Sequence, residues 1–166
     1  MSEASGQDFV VAGVVSEKTC MVMKEELSFF PFLEKEELAD MPCYFQPQDY
    51  APGEVVCEEG EPCDFVGFIV SGRLEIKKQT EFKGKTFVLG IYSAGSMVGE
   101  LCICDNHPRP YTAVALEKTT LIKVSRENFA KMIDERPDIG AKFLKGLLMS
   151  ASIRLRKSFD RMASIF

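Results

Sequence analysis

The segment Gly99–Thr112 reads GELCICDNHPRPYT and is the most informative stretch of the chain for its fold. Glu100 directly follows a glycine, and Arg109 stands at the far end of a short loop. Glycine lets a backbone approach a ligand closely, and a helical turn starting at Glu100 would point its free N–H groups toward an anion. The Arg109 guanidinium can bind the same anion, while the Glu100 carboxylate can accept a hydrogen bond from a hydroxyl. The segment therefore predicts a site for a phosphate with a neighbouring sugar hydroxyl.

A second informative block lies upstream. Residues 52–61 read PGEVVCEEGE and residues 64–76 read DFVGFIVSGRLEI. Together with the G-E-L and P-R elements of residues 99–109, they resemble the signature motifs of the cyclic nucleotide-binding domain family, which includes catabolite activator proteins, kinase regulatory subunits and gated channels. The resemblance covers about residues 27–162. It implies a mostly β fold with flanking α-helices: a double-stranded β-helix (jelly roll) with short N-terminal helices and a long C-terminal helix.

The resemblance also implies roles for residues of the phosphate-binding cassette, residues 99–111. The cassette would begin at Gly99, Arg109 would bind the exocyclic oxygens of a cyclic phosphate, and Glu100 would accept a hydrogen bond from the ribose 2′-hydroxyl. The backbone N–H groups of Leu101 and Cys102 would face the phosphate. The ligand would then be cAMP or cGMP, with no further cofactor.

Two positions of the cassette depart from the family pattern. Pro110 has no N–H to donate to the phosphate and no hydroxyl to recognise guanine, which favours cAMP over cGMP. Tyr111 stands where a small residue is usual, and its ring could point away, stack on the base or fill the pocket. Both departures support an alternative: an interaction or dimerisation module that keeps the fold without the ligand. Arg109 would then be a surface or ion-paired arginine, and Glu100 its partner or an acid at a helix N-terminus.

Two further candidate sites carry weaker signals. Ser158 ends the stretch RLRKS, which loosely resembles the part of the family's C-terminal helix that contacts adenine; a solvent-facing serine is the alternative. Cys102, Cys104 and His107 have the spacing C-x-C-x-x-H, but a structural zinc site normally needs four ligands. His107 is the only histidine of the chain, which leaves little material for histidine-based catalysis. We therefore expect a regulatory protein that is not an enzyme and holds no metal.

Composition limits the possible classes of protein. The chain has 166 residues, which is long enough to form one domain with a sizeable core. Its 46% hydrophobic and 27% charged residues are ordinary proportions for a globular protein. A net charge of −5 gives no general attraction to nucleic acid. No segment is long enough to span a membrane, and the apolar stretch at residues 9–15 follows acidic rather than basic residues. Because the 6 cysteines are scattered without a secretory signal, we expect a cytoplasmic protein with reduced thiols.

The pattern divides the chain into an N-terminal extension (1–23), a jelly-roll domain (24–136) and a C-terminal helix (137–166). Short helices are predicted at 24–30 and 34–41, and Ser125 is the predicted N-cap of a helix that ends near residue 136. Strands are predicted at residues 43–46, 54–57, 65–70, 73–78, 86–92, 111–116 and 119–124.

The C-terminal helix has an apolar stripe opposite a basic face. The stripe is Leu144, Leu148, Ala151, Leu155, Phe159, Met162 and Phe166, and the basic residues are Lys142, Lys145, Arg154, Arg156, Lys157 and Arg161. Spacings of three and four residues are typical of a coiled-coil seam, so the stripe could dock on its own barrel or pair two copies; its persistence favours a homodimer. Since no helix-turn-helix follows, we do not expect this chain to bind DNA, and the signal would pass to an unknown effector protein.

Overall fold

The computed structural model describes residues 13–82, 84–101 and 103–164. The helices are α1 Glu17–Glu25, α2 Arg126–Glu135 and α3 Pro137–Ala163, with short 3-10 helices at Glu36–Asp40 and Pro42–Tyr44. The strands are β1 Phe45–Tyr50, β2 Val55–Cys57, β3 Phe65–Ser71, β4 Arg73–Gln79, β5 Thr86–Ser93, β6 Met97–Val98, β7 Thr112–Ala115 and β8 Thr119–Ser125.

The strands form two antiparallel four-stranded sheets with the orders β1-β8-β3-β6 and β2-β7-β4-β5. The expected jelly-roll architecture with flanking helices is thereby confirmed. Strand β3 shows how the core is divided, because its side chains alternate between two apolar clusters. Val66 and Phe68 belong to the cluster under the helices, whereas Phe65 and Ile69 belong to the cluster inside the barrel.

Aromatic side chains attach the helices to the barrel. The ring of Phe68 on β3 lies with its centroid 4.9 Å from that of Phe29 and 5.2 Å from that of Phe30. Phe143 of α3 stacks on Phe30 with a centroid distance of 5.9 Å, and its ring is also in edge contact with Phe68. Since buried aromatic pairs of this kind add to ordinary apolar burial, they fix the start of α3 against the sheet.

Helix α3 packs on the barrel along its first half. Its buried residues are Ile139, Gly140, Phe143 and Leu147, and the residues from Leu148 onward are exposed or half-buried. The expected helix starts are confirmed: Ser125 Oγ accepts a hydrogen bond from the Asn128 N–H at 3.0 Å, and α3 begins at a proline.

Some local predictions were wrong. The first helix spans Glu17–Glu25 instead of 24–30, because Ser16 and Thr19 form a capping box at its start. Ser28 and Phe30 cannot extend it, since both have a φ of 57°. The helix predicted at 34–41 is only a short 3-10 helix, and β6 was not predicted. The start of the N-terminal extension and Phe166 lie outside the described residues.

Candidate functional site

Gly99 opens the cassette directly after β6. Its φ is +86°, and a Cβ atom there would collide with the guanidinium of Arg109 and the carbonyl oxygen of Phe65. Only glycine therefore fits this position without strain. The described residues of the cassette form turns, so the short helix expected to start at Glu100 is not a regular helix.

The end of the cassette is held by the turn after β2. The Arg109 N–H donates to the Glu61 carbonyl oxygen at 2.8 Å, and the Gly60 N–H donates to the Arg109 carbonyl oxygen at 2.9 Å. The two sequence blocks that carry the resemblance are thus joined by backbone hydrogen bonds around one arginine.

The side chain of Arg109 points inward and is 1% exposed. Its Nη2 donates to the Phe65 carbonyl oxygen at 3.1 Å and to Asp64 Oδ1 at 3.2 Å, and the guanidinium lies 4.3 Å from the centre of the Phe65 ring. Its Nη1 is buried against Gly99 and has no hydrogen-bond partner among the described residues. An unsatisfied buried donor costs about 1–3 kcal/mol, so an anion at Nη1 would be stabilised.

The carboxylate of Glu100 is also buried, with 1% of its side chain exposed. Its Oε1 forms an ion pair with Nη1 of Arg154 on α3, and neither carboxylate oxygen has a partner with hydrogen-bond geometry among the described residues. Burial raises the pKa of Glu100, and the positive charges of Arg154 and Arg109 oppose that rise. Sequence analysis offers Arg109 as an ion-pair partner of Glu100. In the structure, the ion-pair partner of Glu100 is Arg154 on the C-terminal helix.

Tyr111 fills space inside the barrel and is 5% exposed. Its phenol oxygen accepts a hydrogen bond from the Gly99 N–H at 3.3 Å. Burial, and next to it the charge of Glu100, raise the pKa of Tyr111, so the phenol stays neutral. The ring of Tyr111 therefore points into the barrel and not away from it. Pro110 accepts a hydrogen bond at its carbonyl oxygen from Lys78 Nζ at 2.8 Å.

The remaining candidate residues lie apart from this buried core. Leu101 is 50% exposed, and Cys102 lies outside the described residues. Ser158 borders a cavity of about 1110 Å³ between α3, β5 and the segment before the first 3-10 helix. Arg154 borders the same cavity, so this one side chain touches both the cavity and the cassette.

Sequence reasoning missed two arginines that organise the site. Arg154 was assigned to the basic face of the last helix, and nothing in the spacing of that face distinguishes it from Arg156. Arg126, at the start of α2, donates from Nη1 to the Ile103 carbonyl oxygen and from Nη2 to the Cys63 carbonyl oxygen, both at 2.8 Å. It ties the cassette to the loop before β3.

The cysteines near the cassette differ in their state. Cys63 is disulfide-bonded, so the expectation that all thiols are reduced is wrong for this residue. Cys104 is an exposed free thiol. Across the described residues, no three His, Cys, Asp or Glu side chains are grouped in a way that could hold a metal ion. No helix in that part of the chain has the length and apolar character needed to cross a membrane.

Comparison with known proteins shows the family of the chain. The sequence profile described as "Cyclic nucleotide-binding domain" matches residues 47–136. The chain belongs to the cyclic nucleotide-binding domain family. Among family relatives, it is 29% identical over 136 residues to the "CRP-like cAMP-activated global transcriptional regulator" of Mycobacterium tuberculosis, covering 82% of this chain and 58% of that protein. The chain thus spans little more than half the length of this relative.

Solved structures of the family are similar over most of the chain. A cyclic nucleotide-binding domain from Methylobacillus flagellatus superposes with a TM-score of 0.83 at 25% identity, covering 98% of this chain and 93% of that one. The Thermus thermophilus catabolite activator protein superposes with a TM-score of 0.67 at 27% identity, covering 82% of this chain and 62% of that one.

Proposed function

We propose that this chain is a non-catalytic regulatory module of the cytoplasm that binds a cyclic nucleotide, cAMP in preference to cGMP. The observation that carries the proposal is Nη1 of Arg109, which is buried against the backbone of Gly99 and has no hydrogen-bond partner among the described residues. Burying a charged donor without a partner is unfavourable, and a cyclic phosphate would supply the missing acceptor with the matching charge.

The rest of the ligand would follow from this anchor. The carboxylate of Glu100 would accept a hydrogen bond from the ribose 2′-hydroxyl, and the N–H groups of Leu101 and Cys102 would face the phosphate. The base would extend toward the cavity beside α3, where Ser158 is available for a polar contact. Pro110 offers no hydroxyl for guanine, which is why we favour cAMP.

Titration calorimetry with cAMP and cGMP tests the proposal. We expect saturable binding of cAMP to the wild type and a loss of roughly ten- to a hundredfold in Arg109→Gln, the range for a charged hydrogen bond. Arg156→Gln removes the same charge from an exposed position of α3 and should bind normally. Normal binding by a folded Arg109→Gln protein would reject the site.

A second candidate function is a ligand-free interaction module that keeps the fold. The observation in its favour is the phenol of Tyr111, which already accepts the Gly99 N–H. This alternative predicts no thermal stabilisation by either nucleotide. Saturable binding of cAMP in the calorimetric experiment would exclude it.

We further propose that two copies pair through α3, whichever of the two functions holds. The outward stripe of the helix is 68% exposed at Leu148, 55% at Leu155 and at Phe159, and 49% at Met162. These positions recur at intervals of seven, four and three residues, the spacing of a coiled-coil seam. A second copy would cover this apolar stripe and leave the opposite face of α3 on the barrel.

A further inference from the structure

Cys63 lies against the cassette from the loop before β3. Its side chain is buried, and its Sγ lies 3.6 Å from the Gly99 carbonyl oxygen and 3.8 Å from the Phe65 carbonyl oxygen. Gly99 opens the cassette, and the Phe65 carbonyl oxygen also accepts a hydrogen bond from Arg109. The sulfur of Cys63 is therefore next to the backbone that shapes the candidate anion site.

Arg126 brings a second part of the cassette to the same cysteine. Its Nη2 donates to the Cys63 carbonyl oxygen and its Nη1 to the Ile103 carbonyl oxygen, both at 2.8 Å. Its Nε also donates to the Cys63 carbonyl oxygen, at 3.1 Å. One guanidinium thus holds the backbone of Cys63 beside the backbone of Ile103. The cassette cysteine next to Ile103 in the sequence is Cys102.

The cysteine count points to the partner of Cys63, which is disulfide-bonded. The sequence has 6 cysteines. The free thiols among the described residues are Cys20, Cys43, Cys57 and Cys104. Cys102 is the one cysteine of the chain that is left to pair with Cys63, in agreement with the position of Ile103.

We propose that Cys63 and Cys102 form a reversible redox site, and that its disulfide lowers the affinity of the cassette for a cyclic nucleotide. The effect on affinity rests on the proposed function of the chain. In the cytoplasm, glutathione and thioredoxin keep most thiols reduced, and disulfides that form there are usually transient or redox-sensing. A bond between a buried loop and the cassette therefore fits a switch better than a permanent cross-link.

Thiol–disulfide exchange with glutathione would open and close this bond. The thiolate of a first glutathione attacks one sulfur, forms a mixed disulfide and releases the other cysteine as a thiol. A second glutathione attacks the mixed disulfide, so that both cysteines are thiols and glutathione disulfide leaves. The bond takes up two electrons and two protons, and glutathione disulfide reverses the reaction. We expect the attack at Cys102, because Cys63 is buried whereas Leu101, next to Cys102 in the sequence, is 50% exposed.

The disulfide would hold the cassette in a conformation that does not present its N–H groups to a phosphate. Residues 100–101 and 103–105 form turns instead of a regular helix. A helical turn from Glu100 would aim the N–H groups of Leu101 and Cys102 at the phosphate, and the bond to Cys63 opposes that rearrangement. Reduction releases Cys102, so the cassette can bind the phosphate with one more hydrogen bond.

Alkylation followed by peptide mapping tests the bond itself. In protein oxidised with glutathione disulfide, we expect a cross-linked pair of peptides that contain Cys63 and Cys102, while the other four cysteines react with iodoacetamide after unfolding. After treatment with dithiothreitol, all 6 cysteines should react. Returning the reduced protein to glutathione disulfide should form the same bond again. A different partner of Cys63, or a bond that does not form again, overturns the redox site.

Calorimetry with cAMP tests the effect of the bond on affinity. The reduced wild type should bind roughly tenfold more tightly than the oxidised wild type, because one hydrogen bond to a charged phosphate is gained. Cys63→Ser cannot form the bond and should bind like the reduced wild type with or without dithiothreitol. Cys43→Ser replaces an exposed free thiol of the 3-10 helix Pro42–Tyr44 and should keep the tenfold difference. If Cys63→Ser folds poorly, Cys102→Ser gives the same comparison.

The outcomes separate the switch from the proposed function. Equal affinity of the two redox states, tighter binding by the oxidised protein, or a redox difference that persists in Cys63→Ser overturns the switch while the nucleotide site stands. Absence of cAMP binding in both states overturns the proposed function and the effect on affinity with it. The peptide map decides in either case whether the redox site exists.

Discussion

The phenol oxygen of Tyr111 lies 3.3 Å from the backbone nitrogen of Gly99 and accepts a hydrogen bond from it. A side chain at the end of the cassette thus binds the amide at its beginning. The contact stabilises the cassette in the absence of ligand, and it occupies a donor beside the buried Nη1 of Arg109.

Tyr111→Phe removes the acceptor and keeps the ring. We expect the free energy of unfolding to fall by about 0.5–1.5 kcal/mol, the net value of one hydrogen bond, and the affinity for cAMP to rise because the Gly99 N–H is released. Thermal unfolding and calorimetry measure the two effects. Tyr44→Phe, which removes a phenol bound to Glu135 away from the cassette, should cost similar stability without changing affinity. Weaker binding by Tyr111→Phe would show that the phenol supports the ligand.

Gly99→Ala should lower the free energy of unfolding by about 1–3 kcal/mol through backbone strain alone. The collision of the new Cβ with Arg109 and with the Phe65 carbonyl should add a further loss. Gly53→Ala is the matched control. Gly53 has a φ of +83° but open space around its Cβ position, so it reports the strain without the collision. Equal losses of stability in chemical denaturation would contradict the crowding of Arg109 against Gly99.

Asp64 competes with an anionic ligand for Arg109. Its carboxylate lies 3.2 Å from Nη2 while its own side chain is 79% exposed. Removing this charge by Asp64→Asn should raise the affinity for cAMP by about threefold, within the range of exposed ion pairs, and less at high salt. The exposed Asp134 of α2 provides a control substitution of equal charge. A lower affinity of Asp64→Asn would mean that Asp64 orients the guanidinium instead.

Coupling of the site to α3 should be visible by hydrogen exchange. In the wild type, saturating cAMP should slow amide exchange in residues 150–163, because the ligand favours the docked helix. Arg154→Gln should bind cAMP at higher concentration without this protection. Exchange in α2 serves as the internal reference. Equal protection of residues 150–163 in both proteins would contradict the coupling.

A charged substitution in the outward stripe of α3 tests whether two copies pair through this helix. Light scattering of the wild type should give the mass of a dimer, and Leu155→Glu should give that of a monomer, because a carboxylate in the seam would be desolvated without a partner. Leu116→Glu places the same charge at a residue that is 40% exposed outside the helices and should stay dimeric. A monomeric wild type at high concentration would contradict the pairing.

Much of the fold was readable along the chain because the signals were local. Most strands from β2 onward are bounded by turns that contain glycine or proline, and the Ser125 cap and Pro137 mark helix starts directly in the sequence. The first helix lies upstream of its predicted position because a capping box at Ser16 starts it and because two residues after it adopt positive φ. The ring of Phe30, whose φ is positive, packs against Phe68, a contact between residues distant in the chain that no local rule supplies.

By itself, the sequence indicated the strands, the turns and the candidate anion site, since turn residues, alternating apolar positions and the Gly99–Arg109 spacing are properties of neighbouring residues. The jelly-roll architecture was implied by the resemblance to the family. Only the tertiary structure decided the partners: Arg154 beside Glu100, and the phenol of Tyr111 on the Gly99 amide. The reason is physical. A charged side chain on an amphipathic helix is stable either in water or against a buried counter-charge, and the packing of the helix on the barrel selects between the two.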